Sequence, residues 1–271
     1  MADLKLPGPF WLIGCGNMAG AMLRRWLDVG LDPAQVIVIR PSRRAFAGVG
    51  VASAPPAGHR PALAMLGVKP QQLDEVAAQY CQLLGEETVL LSIVAGVERS
   101  SLRARFPAAR AIVRAMPNTP VALGRGATSL YAEATSVADR NLVERLMRPL
   151  GLVEWIEDET LFDAVAALTA SGPAFVFRFI DALAQGAAAL GLPPEQARRL
   201  AVATVEGAGA LAAASGETPH QLAQRVASPG GMTRQGLRVL DDRDALAGLL
   251  RRALEAAVRR SREMGEDARR A

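Results

Sequence analysis

The feature that most constrains this chain is a change of rhythm near residue 157. Ahead of it, seven short and nearly continuous apolar runs (9–13, 36–40, 62–68, 88–93, 111–114, 127–132 and 152–156) alternate with helix-like stretches such as 19–29 and 71–84. Apolar runs of this length, linked by crossover helices, read as parallel strands buried on both faces. After Ile156 the strand signals stop. The rest is Ala/Leu-rich with helical spacing, punctuated by Gly172-Pro173, Ser215-Gly216, Thr218-Pro219 and Ser228-Pro229-Gly230-Gly231. The expected fold is therefore an α/β domain over residues 1–157 followed by an all-α domain over 158–271. Gly186, Gly207 and Gly209 lie inside the helical stretches, where each costs about 1 kcal/mol relative to Ala. Close helix packing is the expected reason, and a helical layer with no sheet to cover it requires a second copy.

Composition excludes several classes. With 50% apolar and 21% charged residues the chain can bury a substantial core. Two cysteines, Cys15 and Cys81, exclude a disulfide framework and a multi-cysteine zinc site, so no metal is expected and a reducing compartment fits. The net charge is only +4, and the C-terminal arginines (Arg251, Arg252, Arg259, Arg260, Arg262, Arg269, Arg270) read as a solvated helix face without interleaved aromatics. No nucleic-acid partner is expected. Residues 6–23 carry no charge, but Pro7, Pro9, Gly8, Gly14, Gly16 and Gly20 make a poor membrane helix. Leu12-Ile13-Gly14-Cys15 is like a lipoprotein cleavage site, yet Asp3 offsets Lys5 and Pro7-Gly8-Pro9 breaks the apolar run before it. The expectation is a cytoplasmic protein with no membrane anchor.

The first apolar run leads directly into Gly14-Cys15-Gly16-Asn17-Met18-Ala19, a GxGxxA pattern at a strand-to-helix turn. Gly14 permits the tight turn and Gly16 lets backbone approach a pyrophosphate. Ala19 lets the helix pack on the strand, with the phosphates at the helix's positive end. Cys15 reads as a small turn residue, not a nucleophile. The second run ends in Arg40-Pro41-Ser42-Arg43-Arg44, without the carboxylate that would bind the ribose of NAD. Arg40, Ser42, Arg43 and Arg44 suit the 2′-phosphate of NADP, because guanidinium groups pair with phosphate bidentately. The expected cofactor is NADPH, with NADH weaker. Ligands of such sheets bind at the carboxyl ends of strands. There the chain has Val68-Lys69-Pro70, then Ala95-Gly96, then Met116-Pro117-Asn118, whose Asn118 amide is suited to a carboxamide.

Taken with these motifs, 169–175 (Thr-Ala-Ser-Gly-Pro-Ala-Phe) and 226–240 (Val-Ala-Ser-Pro-Gly-Gly-Met-Thr-Arg-Gln-Gly-Leu-Arg-Val-Leu) closely resemble pyrroline-5-carboxylate reductase. The resemblance spans nearly the whole chain, and the SPGGxT segment is its most specific element. It implies a Rossmann-type dinucleotide-binding domain followed by a helical dimerisation domain, and reduction of a cyclic imino acid to L-proline, the last step of proline biosynthesis. A homodimer or a higher oligomer of dimers is implied as well. The chain departs from the family at Ala170, Phe175 and Met232, and residues 47–61 are short for the connection they make.

On that resemblance the substrate residues are Ser171, Ser228, Gly230, Gly231, Met232 and Thr233, with Thr233 catalytic. The SPGGMT segment leads into a helix whose free N–H groups can hold a carboxylate, and the Thr233 hydroxyl can bond the ring nitrogen. Simple helix capping by Ser228 and Thr233 is the competing reading. No histidine base is needed, since an N-protonated imine is already electrophilic. His59 and His220 fall in turn-like sequence and read as solvated or capping. Two other readings are a relative acting on another imine or a β-hydroxy acid, and an inactive nicotinamide-binding protein. The β-hydroxy-acid chemistry expects a lysine in the helical domain, and no lysine follows Lys69.

Overall fold

The computed structural model describes residues 4–42 and 44–270, and the backbone alone of residues 267–270. The first part runs β1 (Phe10–Ile13), α1 (Asn17–Asp28), β2 (Val36–Ile39), β3 (Gly50–Ala52), β4 (Leu63–Leu66), α2 (Leu73–Tyr80), β5 (Val89–Ser92), α3 (Arg99–Arg105) and β6 (Ala111–Met116). It continues with β7 (Gly126–Tyr131), α4 (Val137–Met147), β8 (Gly151–Trp155) and α5 (Phe162–Thr169). The remainder is helical: α6 (Gly172–Ala189), α7 (Pro194–Ala214), α8 (Pro219–Val226), α9 (Met232–Asp241) and α10 (Ala245–Arg270).

The strands form one sheet in the order β3-β2-β1-β4-β5-β6-β7-β8. Its first six strands are parallel and follow the 3-2-1-4-5-6 order of doubly wound dinucleotide-binding domains. Strand β1 shows why the runs are so apolar. Phe10 and Leu12 pack with Met22, Trp26 and Leu146 on one face, while Trp11 and Ile13 pack with Val76, Tyr80 and Leu102 on the other. A central parallel strand has no solvent face, so alternation disappears.

Two departures from expectation concern strands. The structure has an eighth strand, the edge strand β3, paired to β2 with Ile37 opposite Gly50. It is three residues long and none of them is buried, so it leaves no apolar run to read. The run 127–132 is a strand but not a parallel one with its neighbour β6: β7 pairs with β6 antiparallel and with β8 parallel. Only residues 117–125 separate β6 from β7, with a short 3-10 turn at Thr119–Leu123. That is too little chain for a parallel crossover, which needs a dozen or more residues. Helix α4 supplies the crossover from β7 to β8. The uncharged stretch 6–23 divides into β1, a turn and part of α1.

The chain divides into two compact units, Met1–Ser171 with Ala257–Ala271, and Gly172–Ala256. The second has little core of its own. Ala184, Ala197 and Ala201 form its buried cluster, while Phe177 is 64% exposed and Val176, Phe179, Leu200 and Leu249 are exposed too. Close packing does not account for its helical glycines within this chain, since a Cβ at Gly186, Gly207 or Gly209 would meet nothing within 4 Å. By length and composition, Glu159–Ala189 is apolar enough to cross a membrane.

Candidate active site

In the sheet unit, the β1–α1 turn is built from residues that tolerate no larger neighbour. Gly14 has φ 79°, and a Cβ on it would lie 2.6 Å from Val68 Cγ1 and 2.8 Å from the Gly67 carbonyl oxygen. A Cβ on Gly67 would in turn meet the Gly14 oxygen at 2.9 Å and the Ala19 Cβ at 3.0 Å. The turns after β1 and β4 therefore touch backbone to backbone, and any added carbon there strains both. Gly16 is different. A Cβ there would meet nothing within 4 Å, so its bareness serves open space. Gly16 is also the N-cap of α1 and no side chain bonds to the first turn, which leaves N–H groups for an anion.

These residues line a pocket of about 640 Å³. It brings together Gly14, Cys15, Gly16, Asn17, Met18, Ala19, Arg40, Ser42, Val68 and Lys69, ten of the expected cofactor residues, with Ser53, Gln72, Glu75, Gln79 and Tyr80. None of these last five was expected, because their sequence surroundings carry no motif. Burial pushes the Cys15 thiol up, against the pull of Arg40 and Arg24. It stays protonated at neutral pH, as a turn residue should. The Arg40 guanidinium donates through Nε to the Ser42 carbonyl at 3.1 Å and through Nη2 to the Arg44 carbonyl. Two of its five N–H groups thus organise the loop, and among the described residues the other three have no hydrogen-bond partner. The open glycine, the free helix end and this arginine fit a phosphorylated dinucleotide.

Other expected cofactor residues lie elsewhere. Arg43 lies outside the described residues. Arg44 does not line the pocket and contributes its carbonyl instead. Pro70 starts the 3-10 turn Pro70–Gln72 beside the pocket without lining it. Ala95 is exposed and outside the pocket as well. Gly96 has φ 73° and lies against Met264 and Gly265 of α10, on a second cavity with Arg114 and Glu159. Asn118 is engaged within the fold. Its Nδ2 donates to the Thr169 carbonyl at 3.0 Å and its Oδ1 accepts from the Ala127 N–H at 2.9 Å. It is only 8% exposed. Its amide ties the β6–β7 loop to α5 and β7, with one N–H and one acceptor position of the amide beyond these two bonds.

Near the second cavity, Arg114 is a buried charge with no counterpart in the expectations. It pairs with Glu159 at 2.6 Å and lies 4.1 Å from the centre of the Phe162 ring. A charge inside an apolar strand run gives no sign of where its partner is.

Ser171, half-buried, is the last residue of the sheet unit, its N–H donating to the Ala166 carbonyl at 3.3 Å. The other expected substrate residues share one turn of the helical unit. Gly230 has φ 72°. The Gly231 N–H donates to the Ser228 carbonyl at 3.1 Å, and a Cβ on Gly231 would lie 2.5 Å from Ser228 Oγ. Gly231 is the N-cap of α9, with no side-chain bond to the helix. Neither the Ser228 nor the Thr233 hydroxyl caps it, and Met232 is 91% exposed. Arg234, unmarked in the sequence, anchors the turn by donating to the Gln224 side chain and, at 2.7 Å, to the Ala227 carbonyl.

A doubly wound sheet with an open glycine turn at the end of its first strand defines a dinucleotide-binding protein. Residues 10–96 match the family model described as NADP oxidoreductase, coenzyme F420-dependent. Residues 159–264 match the model for pyrroline-5-carboxylate reductase dimerisation. The chain is 37% identical over 261 residues to pyrroline-5-carboxylate reductase of Pisum sativum, covering 93% of this chain and 94% of that one. A solved pyrroline-5-carboxylate reductase from Coxiella burnetii superposes with TM-score 0.88 at 34% identity, over 96% of this chain and 99% of that one. The Plasmodium falciparum pyrroline carboxylate reductase, solved with NADP bound, gives TM-score 0.84 at 25% identity over 96% of this chain and 98% of that one. This chain belongs to the pyrroline-5-carboxylate reductase family.

Proposed function

We propose that this protein reduces 1-pyrroline-5-carboxylate to L-proline with NADPH, the last step of proline biosynthesis. The observation that carries the reading is the pairing of family membership over nearly the whole chain with a helix-opening turn that, among the described residues, no side chain caps. The bound cofactor supplies hydride to the C=N carbon. This chain's residues do the rest.

In the sheet unit, the N–H groups opening α1 and the backbone at Gly16 hold the pyrophosphate. Arg40 and Ser42 hold the 2′-phosphate, and Val68 and Lys69 close the adenosine side. In the helical region 158–271, the substrate and dimerisation part, the α9 N–H groups with Ser228, Gly230 and Gly231 hold the carboxylate. Met232, at the first position of α9, lines the ring's surroundings. The Thr233 hydroxyl accepts from the protonated ring nitrogen, and after transfer the same hydroxyl can donate to the new amine. No residue need act as an acid, because the substrate arrives with its proton. The main contribution is orientation.

A second copy of the chain covers the exposed apolar faces of α6 and α7, and Gly186, Gly207 and Gly209 are reserved for its helices. The apolar run Glu159–Ala189 then meets protein, not lipid. Homodimers, or rings of them, in the cytoplasm follow.

The test is NADPH oxidation with fresh pyrroline-5-carboxylate, with proline identified as product and other cyclic imines as controls. Proline formation is expected. Turnover of a different imine alone would retain the class and reject this substrate.

A further inference from the structure

The short connection between β2 and β3 places an aromatic ring among cations. Phe46 follows the arginine-rich loop and forms a bridge with Val49 across a tight turn in which Ala47 and Gly48 have φ 45° and 78°. Its ring is half-buried against the first turn of α1. A Cβ on Gly20 would sit 3.4 Å from Phe46 Cε2, ordinary van der Waals contact, so the ring lies close against the helix at this point. From α1, the Arg24 guanidinium lies 5.0 Å from the ring centre. From the end of β2, that of Arg40 lies 5.9 Å from it.

Among the described residues neither arginine is paired with a carboxylate. Two like charges gathered on one ring repel each other, and an aromatic face offsets only part of that. A dianion between them would relieve the rest. Arg40 lines the dinucleotide pocket and Arg24 stands behind it on α1, and both bear electrostatically on Cys15 in the dinucleotide turn.

We propose that Phe46 is a positioning residue for cofactor selectivity, its ring holding Arg24 and Arg40 as one paired cationic site for the 2′-phosphate of NADPH. The inference rests on the proposed use of NADPH and adds Arg24, which no motif marks, to the groups that read the phosphate. Arg40 keeps its Nη edge free because its other edge is fixed on the loop carbonyls. The ring keeps the guanidinium plane from turning away. Arg24 contributes charge from the helix side.

The test uses two probes that differ by one phosphate, 2′,5′-ADP and 5′-AMP, titrated calorimetrically into the whole protein. In Phe46→Leu, 2′,5′-ADP should bind about three- to tenfold more weakly, the scale of one or two cation–π contacts at a partly exposed site. Binding of 5′-AMP should not change. Phe46→Tyr should restore the parent value. Arg24→Gln, at an exposed position, should weaken 2′,5′-ADP alone, and it decides the matter if Phe46→Leu melts early. Equal weakening of both probes in Phe46→Leu would make the ring a structural prop and overturn the proposal, as would an Arg24→Gln protein with unchanged 2′,5′-ADP binding. A parent protein binding both probes equally would overturn the NADPH reading itself, and this proposal with it.

Discussion

Replacing Thr233 by valine keeps the β-branched shape and removes only the hydroxyl. Thr233 is the second residue of α9, half-buried, at a helix start whose N-cap is Gly231 and which no side chain caps. Folding stability should therefore change by no more than about 0.5 kcal/mol, as for a substitution away from any structural bond. Catalysis should change far more. A hydrogen bond to a charged group is worth about 1.5–3 kcal/mol, which at 1.36 kcal/mol per tenfold is roughly 10- to 150-fold in kcat/KM. NADPH affinity should stay within about twofold, since the proposed cofactor groups lie in the other compact unit. Steady-state kinetics at saturating NADPH, with a thermal melt of the same preparation, separates these quantities. Unchanged kcat/KM refutes the proposed contact. A loss of activity matched by about 1 kcal/mol of stability would return Thr233 to helix capping.

The two motif glycines should fail differently. Gly14→Ala forces a side chain into left-handed backbone and against Val68 and Gly67, so it should lower Tm, whereas Gly16→Ala should melt like the parent and bind NADPH at least about tenfold more weakly. Similar melts for both would show that the turn is not as tight as described. Asn118→Ala should cost about 2–4 kcal/mol, because a buried N–H and a carbonyl each lose their partner, while KM for NADPH in the surviving folded protein holds. A changed KM without lost stability would restore Asn118 to the cofactor. Light scattering at micromolar concentration should find no folded monomer, given the small core of residues 172–256; a stable active monomer would reject the proposed subunit packing.

What could be read from sequence is what short-range geometry decides. The glycine turn depends on φ at Gly14, bareness at Gly16 and a small Ala19, all within one strand-to-helix junction, so spacing alone carries it. The central strands announce themselves because burial on both faces leaves no room for polar residues. The helical region likewise shows its breaks through Gly and Pro. The reversal of β7 was legible in principle, from the brevity of 117–125, but an apolar run has no direction of its own. β3 was not legible, since three unburied edge residues bury too little to leave a pattern.

The sites divide in the same way. Sequence by itself determined the glycine turn after β1, the basic end of β2 and the SPGGMT turn, because each is contiguous and its geometry follows from its own backbone. Tertiary structure decided which of the candidates meet. It gave Asn118 a partner 51 residues away, set Gly96 against Gly265, and put Phe46 between arginines of two different elements. Such contacts depend on how separate elements pack, and a side chain's available bonds are settled only when packing shows which neighbours have already taken them.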